Sequence, residues 1–241
     1  MFHHIILITS SYILGKRIGW HYSSEDLELS LLEEVQEKSK DSMGALHQLT
    51  TEDSSWESVV KKDSFFKDVK LYPELDEYLK AVEESRKISA LDIAKFLLSV
   101  KPMSNLKLQK MVYLVYADYL VKTGKPLFDE KILAYKFGPV VKEVYDEYKP
   151  HGREEIVEDD SEEIKFGVIT YPMVLARFIQ AEDGSEIIAS IKRTLKVFGD
   201  KSASKLVDLT HREGGPWDKT EQSMAISDDL IRKYHCVELT T

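Results

Sequence analysis

The sequence has almost no cysteine and no long hydrophobic run, and both absences limit what the chain can be. Its one cysteine, Cys236, excludes an internal disulfide and a thiolate-rich zinc site, which is typical of proteins in a reducing cytosol. No stretch approaches the roughly 18 apolar residues that a membrane-spanning helix requires. The opening MFHHIILITSSYILG lacks the basic start of a secretion signal, and Thr9, Ser10 and Ser11 interrupt its apolar run. We therefore predict a cytoplasmic protein without a membrane partner.

The chain also lacks the sequence patterns of nucleotide, metal and catalytic sites. The glycines in GKRIG and REGGPW do not have the spacing of phosphate-binding loops. The seven histidines are scattered except for His3 and His4, and neighbours on a strand point to opposite faces. No pattern marks a serine or cysteine as a nucleophile beside a base and an oxyanion donor. We predict no catalytic residue, no metal and no cofactor, and therefore a protein that is not an enzyme.

The composition is that of a folded globular protein with an uneven charge. With 241 residues, 43% of them hydrophobic, the chain can form one large domain or a medium domain with a smaller companion. The net charge is −9, and residues 1–85 hold 9 Lys and Arg against 17 Asp and Glu. Residues 101–149 are only mildly basic, with 9 Lys against 6 acidic residues. Because phosphate binding favours clustered cations, this acidity argues against a nucleic-acid partner.

Residues 1–85 are predicted to form a small α+β module. Residues 3–9 and 17–22 are rich in Ile, Tyr and Trp around glycines, which is typical of a short hairpin. Apolar residues three or four positions apart predict a helix from residue 25 to about residue 49. A further helix begins near Pro73, because proline is well tolerated in the first helical turn.

Residues 86–241 are predicted to form a second, compact helical domain with a short β element, so the fold is mainly α. Its start is marked by Ser89 and Asp92, which have the spacing of a capping box. The predicted elements are helices at 90–101, 106–122, 139–148, 172–181, 185–198 and 201–211, a short strand in KILAYKFG, and a last helix capped by Ser227. Seven acidic residues between positions 153 and 163 predict a solvated loop or, alternatively, an attractive surface for a basic partner.

The helix over residues 106–122 is apolar nearly all the way round. Projection at about 100° per residue places its charged residues within one narrow arc. They are Lys107, Lys110, Asp118 and Lys122. Gln109 falls roughly opposite, among leucine, valine and tyrosine side chains. A helix of this kind is typical of the centre of a helical domain, because a surface helix has a clear polar face.

Three segments together resemble a known family. They are LDIAKFLL, LKLQKMVYLVYADYLVKTGKPLFDEKILAYKFGPVVKEVYDEY and LTHREGGPW, in this order and at these separations. They resemble the Panacea domain family, also called the SocA-like antitoxin or phage-associated family, over residues from about 88 to 220. The preceding residues look like an N-terminal extension carried by some members.

The resemblance implies the antitoxin of a bacterial or prophage toxin–antitoxin pair, which binds a cognate toxin protein directly and without catalysis. Some relatives instead act as proteolytic adaptors, so a protease or chaperone is an alternative partner. A DNA-binding prophage regulator is a third class, and only the mild positive balance of residues 101–149 favours it.

Two polar residues of the shared motifs are predicted to have structural roles. If the helix is central, Gln109 is buried and needs partners, because an unpaired buried polar group costs roughly 1–3 kcal/mol. We expect it to bond main-chain groups of the KFGP segment, which Gly138 allows to approach closely. His211 is either a special histidine or, as we favour, a helix-end residue that bonds nearby carbonyls, with Trp217 folded back into the core.

The surface that binds a partner is predicted near the same hairpin. Interfaces rely on a few aromatic and apolar anchors within a polar rim. The predicted residues are Tyr113, Tyr116, Lys136, Phe137 and Pro139. Packing in the core of the domain is the alternative for these side chains.

Overall fold

The chain divides into two compact units, seen in a computed structural model. The residues that the structure describes are 1–11, 14–26, 29–40, 44–157, 163–166, 169–181 and 183–239. One unit is Met1–Lys87 and the other is Ile88–Thr241. Each has its own clusters of buried apolar side chains. The first combines a sheet with helices and the second is mainly helical.

The unit Met1–Lys87 contains a four-stranded sheet. Its elements are β1 (Phe2–Ser11), β2 (Lys16–Ser24), α1 (Leu29–Lys38), β3 (Ala45–Thr51), α2 (Trp56–Lys62), β4 (Lys70–Tyr72) and α3 (Leu75–Arg86). The strand order is β3, β1, β2, β4. β1 is antiparallel to both of its neighbours, and β4 runs parallel to β2. The predicted hairpin near the start of the chain is therefore confirmed as β1 and β2.

Strand β1 is apolar along its middle because both of its faces are covered. Ile5 and Leu7 pack with side chains of α1 and α3 in one cluster. Ile6 and Ile8 point to the opposite face and pack with a side chain of α2 in another cluster. A strand that is covered on both faces has no need to alternate apolar and polar residues. This explains the continuous apolar run in the sequence.

The predicted helix over residues 25–49 is wrong in its second half. Helix α1 ends at Lys38, and Ala45–Thr51 form strand β3. The leucines of this segment have helical spacing, but all seven residues of β3 pair with β1. Strand pairing with a long apolar neighbour outweighs a weak local pattern, because strand preference depends mostly on packing context.

The unit Ile88–Thr241 consists of helices and short antiparallel strand pairs. Its helices are α4 (Ala90–Val100), α5 (Asn105–Thr123), α6 (Lys142–Tyr148), α7 (Met173–Gln180), α8 (Gly184–Phe198), α9 (Ala203–Thr210) and α10 (Asp228–Leu239). Its strands are β5 (Met103–Ser104), β6 (Ile132–Tyr135), β7 (Gly138–Val141), β8 (Glu155–Ile156), β9 (Glu163–Phe166) and β10 (Ile169–Pro172). β5 pairs with β8, β6 with β7 and β9 with β10. Within the described residues, no helix is both long and apolar enough to span a membrane.

Helix α5 lies at the centre of this unit. Every residue from Leu108 to Ala117 is buried, because α4, α8, α9, α10 and β7 pack around it. Its all-round apolar character is therefore burial, as predicted. The capping box before α4 is also confirmed: Ser89 accepts a hydrogen bond from the amide of Asp92, whose carboxylate accepts one from the amide of Ser89.

The predicted acidic loop over residues 153–163 is partly a strand. Glu155–Ile156 form β8 and pair with Met103–Ser104. The strand pairing anchors the beginning of the acidic segment to the residues before α5. Residues 158–162 of the predicted loop lie outside the described part of the chain.

Candidate functional site

The hairpin of β6 and β7 is bonded along its β6 edge by a later part of the chain. The amide of Ala134 donates to the carbonyl of Met224 at 2.9 Å, and the amide of Ser223 donates to the carbonyl of Ala134 at 2.7 Å. The amide of Ile226 donates to the carbonyl of Ile132 at 2.8 Å. Residues 223–226 therefore act as a third strand, and the main-chain groups on this edge are paired.

The β7 edge is bonded by two side chains of α5. Oε1 of Gln109 accepts a hydrogen bond from the amide of Val141 at 2.9 Å. Nζ of Lys110 donates to the carbonyl of Pro139 at 2.8 Å. Residues two apart on a strand present their main-chain groups to the same side. The adjacent residues Gln109 and Lys110 thus supply the acceptor and the donor that a neighbouring strand would offer.

The prediction for Gln109 was right in kind and wrong in the residue that it contacts. Gln109 is buried and bonds the main chain, but at Val141, two positions beyond the KFGP segment. The KFGP segment is instead held by Lys110, whose side chain is completely buried. Lys110 falls within the narrow charged arc of the helix projection, but its side chain is buried. The long side chain of Lys110 reaches the carbonyl of Pro139, and a helix projection contains no information about such a partner.

Gly138 makes room for this lysine. Its φ is +96°, in the region that favours glycine. A Cβ atom at this position would lie 2.8 Å from Cε of Lys110 and 2.8 Å from Oγ1 of Thr210. Gly138 therefore lies close to Lys110, and not to Gln109 as predicted. Burial lowers the pKa of Lys110 to about 7, because removal from water penalises the charged form.

The THREGGPW motif holds the turn of the same hairpin. Nε1 of Trp217 donates to the carbonyl of Tyr135 at 2.9 Å. The ring of His211 stacks on Trp217 with 3.7 Å between ring centroids. Nε2 of His211 is buried without a hydrogen-bond partner among the described residues, so stacking replaces the predicted bond to a carbonyl on that side. Burial, and to a lesser degree the charge of Lys110, lowers the pKa of His211. The structural role is the one that this geometry favours.

An open groove of about 910 Å³ lies beside the hairpin turn. Its walls come from the start of α5, the hairpin, α6 and the residues that follow α6. Three large apolar side chains in these walls are well exposed. They are Leu106 at 39%, Phe137 at 59% and Tyr145 at 43%. The groove therefore presents apolar surface on elements that the central helix holds in place.

The groove also carries positive charge. Among the described residues that line it, three are basic and none is acidic. The basic residues are Lys136, Lys149 and Arg153. Nζ of Lys136 lies 5.6 Å from the centre of the Phe137 ring, in a cation–π contact. Lys149 forms an ion pair with Asp146 at 3.1 Å.

The residues predicted to bind a partner fall into two groups. Lys136 and Phe137 are exposed and line the groove together, whereas Pro139 is buried in β7. Tyr113 and Tyr116 belong to the buried core, which is the alternative that the sequence left open. The hydroxyl of Tyr113 donates to Glu238 at 2.8 Å, and the hydroxyl of Tyr116 donates to Asp228 at 2.7 Å. A surface role remains a prediction for Lys136 and Phe137.

The groove residues that the sequence reasoning missed include Tyr145, Lys149 and Arg153. Tyr145 and Lys149 are four positions apart, so they share one side of α6 and its short extension, and this spacing could have revealed them. Arg153 follows a turn at Gly152 and carries no such signal. These three residues supply one of the exposed apolar side chains and two of the three cations.

The first unit contains a polar cluster that the scattered histidines did not predict. Nδ1 of His4 is hydrogen-bonded to Nε2 of His21 at 2.8 Å, and Nε2 of His4 to Oγ1 of Thr51 at 2.7 Å. The pairing of β1 with β2 and β3 brings these residues together. Burial lowers the pKa of both histidines, that of His21 to about 4. Within the described ranges, no group of three or more His, Cys, Asp or Glu side chains could hold a metal ion.

Comparison with known proteins finds a similar family over the segment that contains these features. Residues 108–218, which include the hairpin, Lys110 and Trp217, match the family described as "Antitoxin SocA-like, Panacea domain". The predicted resemblance is thereby confirmed. The chain is 35% identical over 132 residues to the protein named Antitoxin SocA from Caulobacter vibrioides (strain NA1000 / CB15N). The match covers 55% of this chain and 63% of that protein. No solved structure matches the chain.

Proposed function

We propose that this chain is the antitoxin of a bacterial or prophage toxin–antitoxin pair and that it neutralises a cognate toxin by binding it directly in the cytoplasm. The observation that carries the proposal is the 35% identity with Antitoxin SocA, together with the family match of residues 108–218. The proposal assigns no catalysis to the chain. Its work is done by a surface that fits another protein.

The groove beside the hairpin is the proposed toxin-binding surface. Phe137 is a large aromatic side chain with 59% of its surface exposed, and aromatic residues of this kind are frequent anchors of protein interfaces. The hairpin beneath it is hydrogen-bonded on both edges and at its turn. A scaffold that is ordered before binding loses less conformational freedom when the partner arrives.

The direct test is co-expression with the gene adjacent to this one. The neighbouring gene is expected to arrest growth when expressed alone, and this chain is expected to restore growth and to co-purify with the toxin. A harmless neighbour, or growth arrest that this chain does not relieve, would contradict the proposal. Toxin half-life separates direct neutralisation from adaptor activity, because an adaptor shortens the half-life and a binding antitoxin leaves the toxin present.

The proposed surface is tested by Phe137→Ser, with Val197→Ser on α8 as a matched control. Both side chains are apolar and similarly exposed, at 59% and 56%, but Val197 lies outside the groove. Loss of a central aromatic anchor is expected to weaken toxin binding by about 10-fold or more. The control should change the dissociation constant by less than about twofold, because scattered surface substitutions have small effects. Equal affinities for the two variants would exclude the groove as the binding surface.

A further inference from the structure

Strand addition is closed to any ligand of the β6–β7 hairpin. A peptide that adds to a sheet needs an edge with unpaired main-chain groups. The β6 edge is occupied by residues 223–226, and the β7 edge is occupied by Gln109 and Lys110. These paired edges leave the side chains of the hairpin as its means of contact with a ligand in the groove.

The groove offers a partner two kinds of side-chain contact. Leu106, Phe137 and Tyr145 expose apolar surface in its walls. Its volume of about 910 Å³ is large enough for bulky side chains of a bound segment. One or two apolar side chains of a bound partner would cover the exposed surface of Phe137 and remove it from water.

Two of the three cations of the groove are available to a ligand, since Lys149 is paired with Asp146. In the described part of the chain, neither Lys136 nor Arg153 forms an ion pair with an acidic side chain. These two positive charges stand in a protein with a net charge of −9. Opposite charges across an interface favour encounter and exclude partners of the wrong sign. The lining therefore favours carboxylates.

We propose that the groove binds an acidic segment of a protein partner that carries a bulky apolar side chain, and that it does so through side chains and not by strand pairing. The apolar side chain of the segment packs on Phe137 and its neighbours, and its carboxylates pair with Lys136 and Arg153. This inference rests on the proposed function, because the toxin is the protein that would supply the segment.

The test reverses the two free charges in the complete chain. Lys136→Glu with Arg153→Glu is compared with Lys192→Glu with Lys196→Glu, two exposed lysines of α8 outside the groove. Both double variants change the net charge by the same amount. The dissociation constant for the purified toxin is measured at low and at high salt. Far-ultraviolet circular dichroism and hydrogen exchange of α5 confirm that each variant is folded.

The groove variant is expected to bind toxin about 10- to 100-fold more weakly at low salt, and the difference should shrink as salt screens the charges. The α8 variant should bind within about twofold to threefold of the unchanged chain. Lysine substitutions of acidic residues in the toxin segment should restore binding to the groove variant and to no other. Restoration of this kind would show that the toxin segment binds in the groove.

Three outcomes overturn the inference. Unchanged or tighter toxin binding by the groove variant would show that the groove does not select acidic groups. Loss of self-association in that variant would show that a second copy of this chain occupies the groove. If the unchanged chain neither binds the toxin nor restores growth, the proposed function fails and the inference fails with it. The first outcome, with growth still restored by the unchanged chain, refutes the inference and leaves the proposed function standing.

Discussion

Gly138 is the position at which the packing of the site can be tested most directly. In Gly138→Ala, a φ of +96° must be adopted by a residue with a side chain, and left-handed backbone costs such residues roughly 1–2 kcal/mol. The new Cβ atom would lie 2.8 Å from both Lys110 and Thr210. Overpacking of a filled core adds typically about 1–3 kcal/mol. We expect the substitution to lower the free energy of unfolding of the helical unit by about 2–5 kcal/mol.

Gly124→Ala is the matched control for this prediction. Gly124 also has a positive φ, +73°, but nothing lies within 4 Å of a Cβ atom built there. It therefore incurs the backbone cost of roughly 1–2 kcal/mol without the overlap. Hydrogen exchange of amides in the middle of α5 measures the opening free energy of both variants. If Gly138→Ala lowers that free energy no more than Gly124→Ala, the close packing of Lys110 beneath Gly138 is refuted.

Three further predictions follow from buried polar groups. The pKa of Lys110 is lowered from 10.5 to about 7 in the folded chain, so between these pH values the unfolded chain keeps a proton that the folded chain has lost. The free energy of unfolding of the helical unit should therefore rise between about pH 7 and pH 10.5. Urea titrations measure this rise, and Lys110→Met should flatten it. Because the pKa values of His4 and His21 are lowered in the folded chain, the free energy of unfolding of the first unit should fall as the pH falls from about 6.5 to about 4. Hydrogen exchange in β1 should then become faster. Constant exchange after correction for intrinsic rates would contradict this prediction. Tyr113→Phe removes a donor to buried Glu238 and should cost about 1–3 kcal/mol in the opening free energy of α10, whereas Tyr145→Phe should cost almost nothing.

The helical unit was predictable where its sequence signals are local. The all-round apolar pattern of α5 follows from burial, and the Ser89 and Asp92 pair acts within one helical turn, so both could be recognised without the fold. Lys136 and Phe137 are adjacent in sequence and both are exposed, and their role in binding stays a prediction. In each case, the residues that decide the feature are neighbours in sequence.

The features that could not be predicted depend on distant parts of the chain. A lysine is ordinarily a surface residue, and Lys110 is buried only because the carbonyl of Pro139, 29 positions away, lies within its reach. The strand Ala45–Thr51 exists because β1 offers it an edge. Arg153 reaches the groove after a turn whose direction is set by the strands around it. Helical periodicity contains none of this information.

The bonding of the hairpin by residues 223–226 has a consequence for synthesis on the ribosome. The groove-forming turn is made early, but Tyr135 obtains its partner Trp217 more than 80 residues later, and β6 is completed only by Met224 and Ile226. A nascent chain that stops before these residues leaves main-chain groups of the turn unpaired. The hairpin therefore reaches its finished form only after residues 223–226 have been synthesised, and fragments released earlier should not hold it in that form.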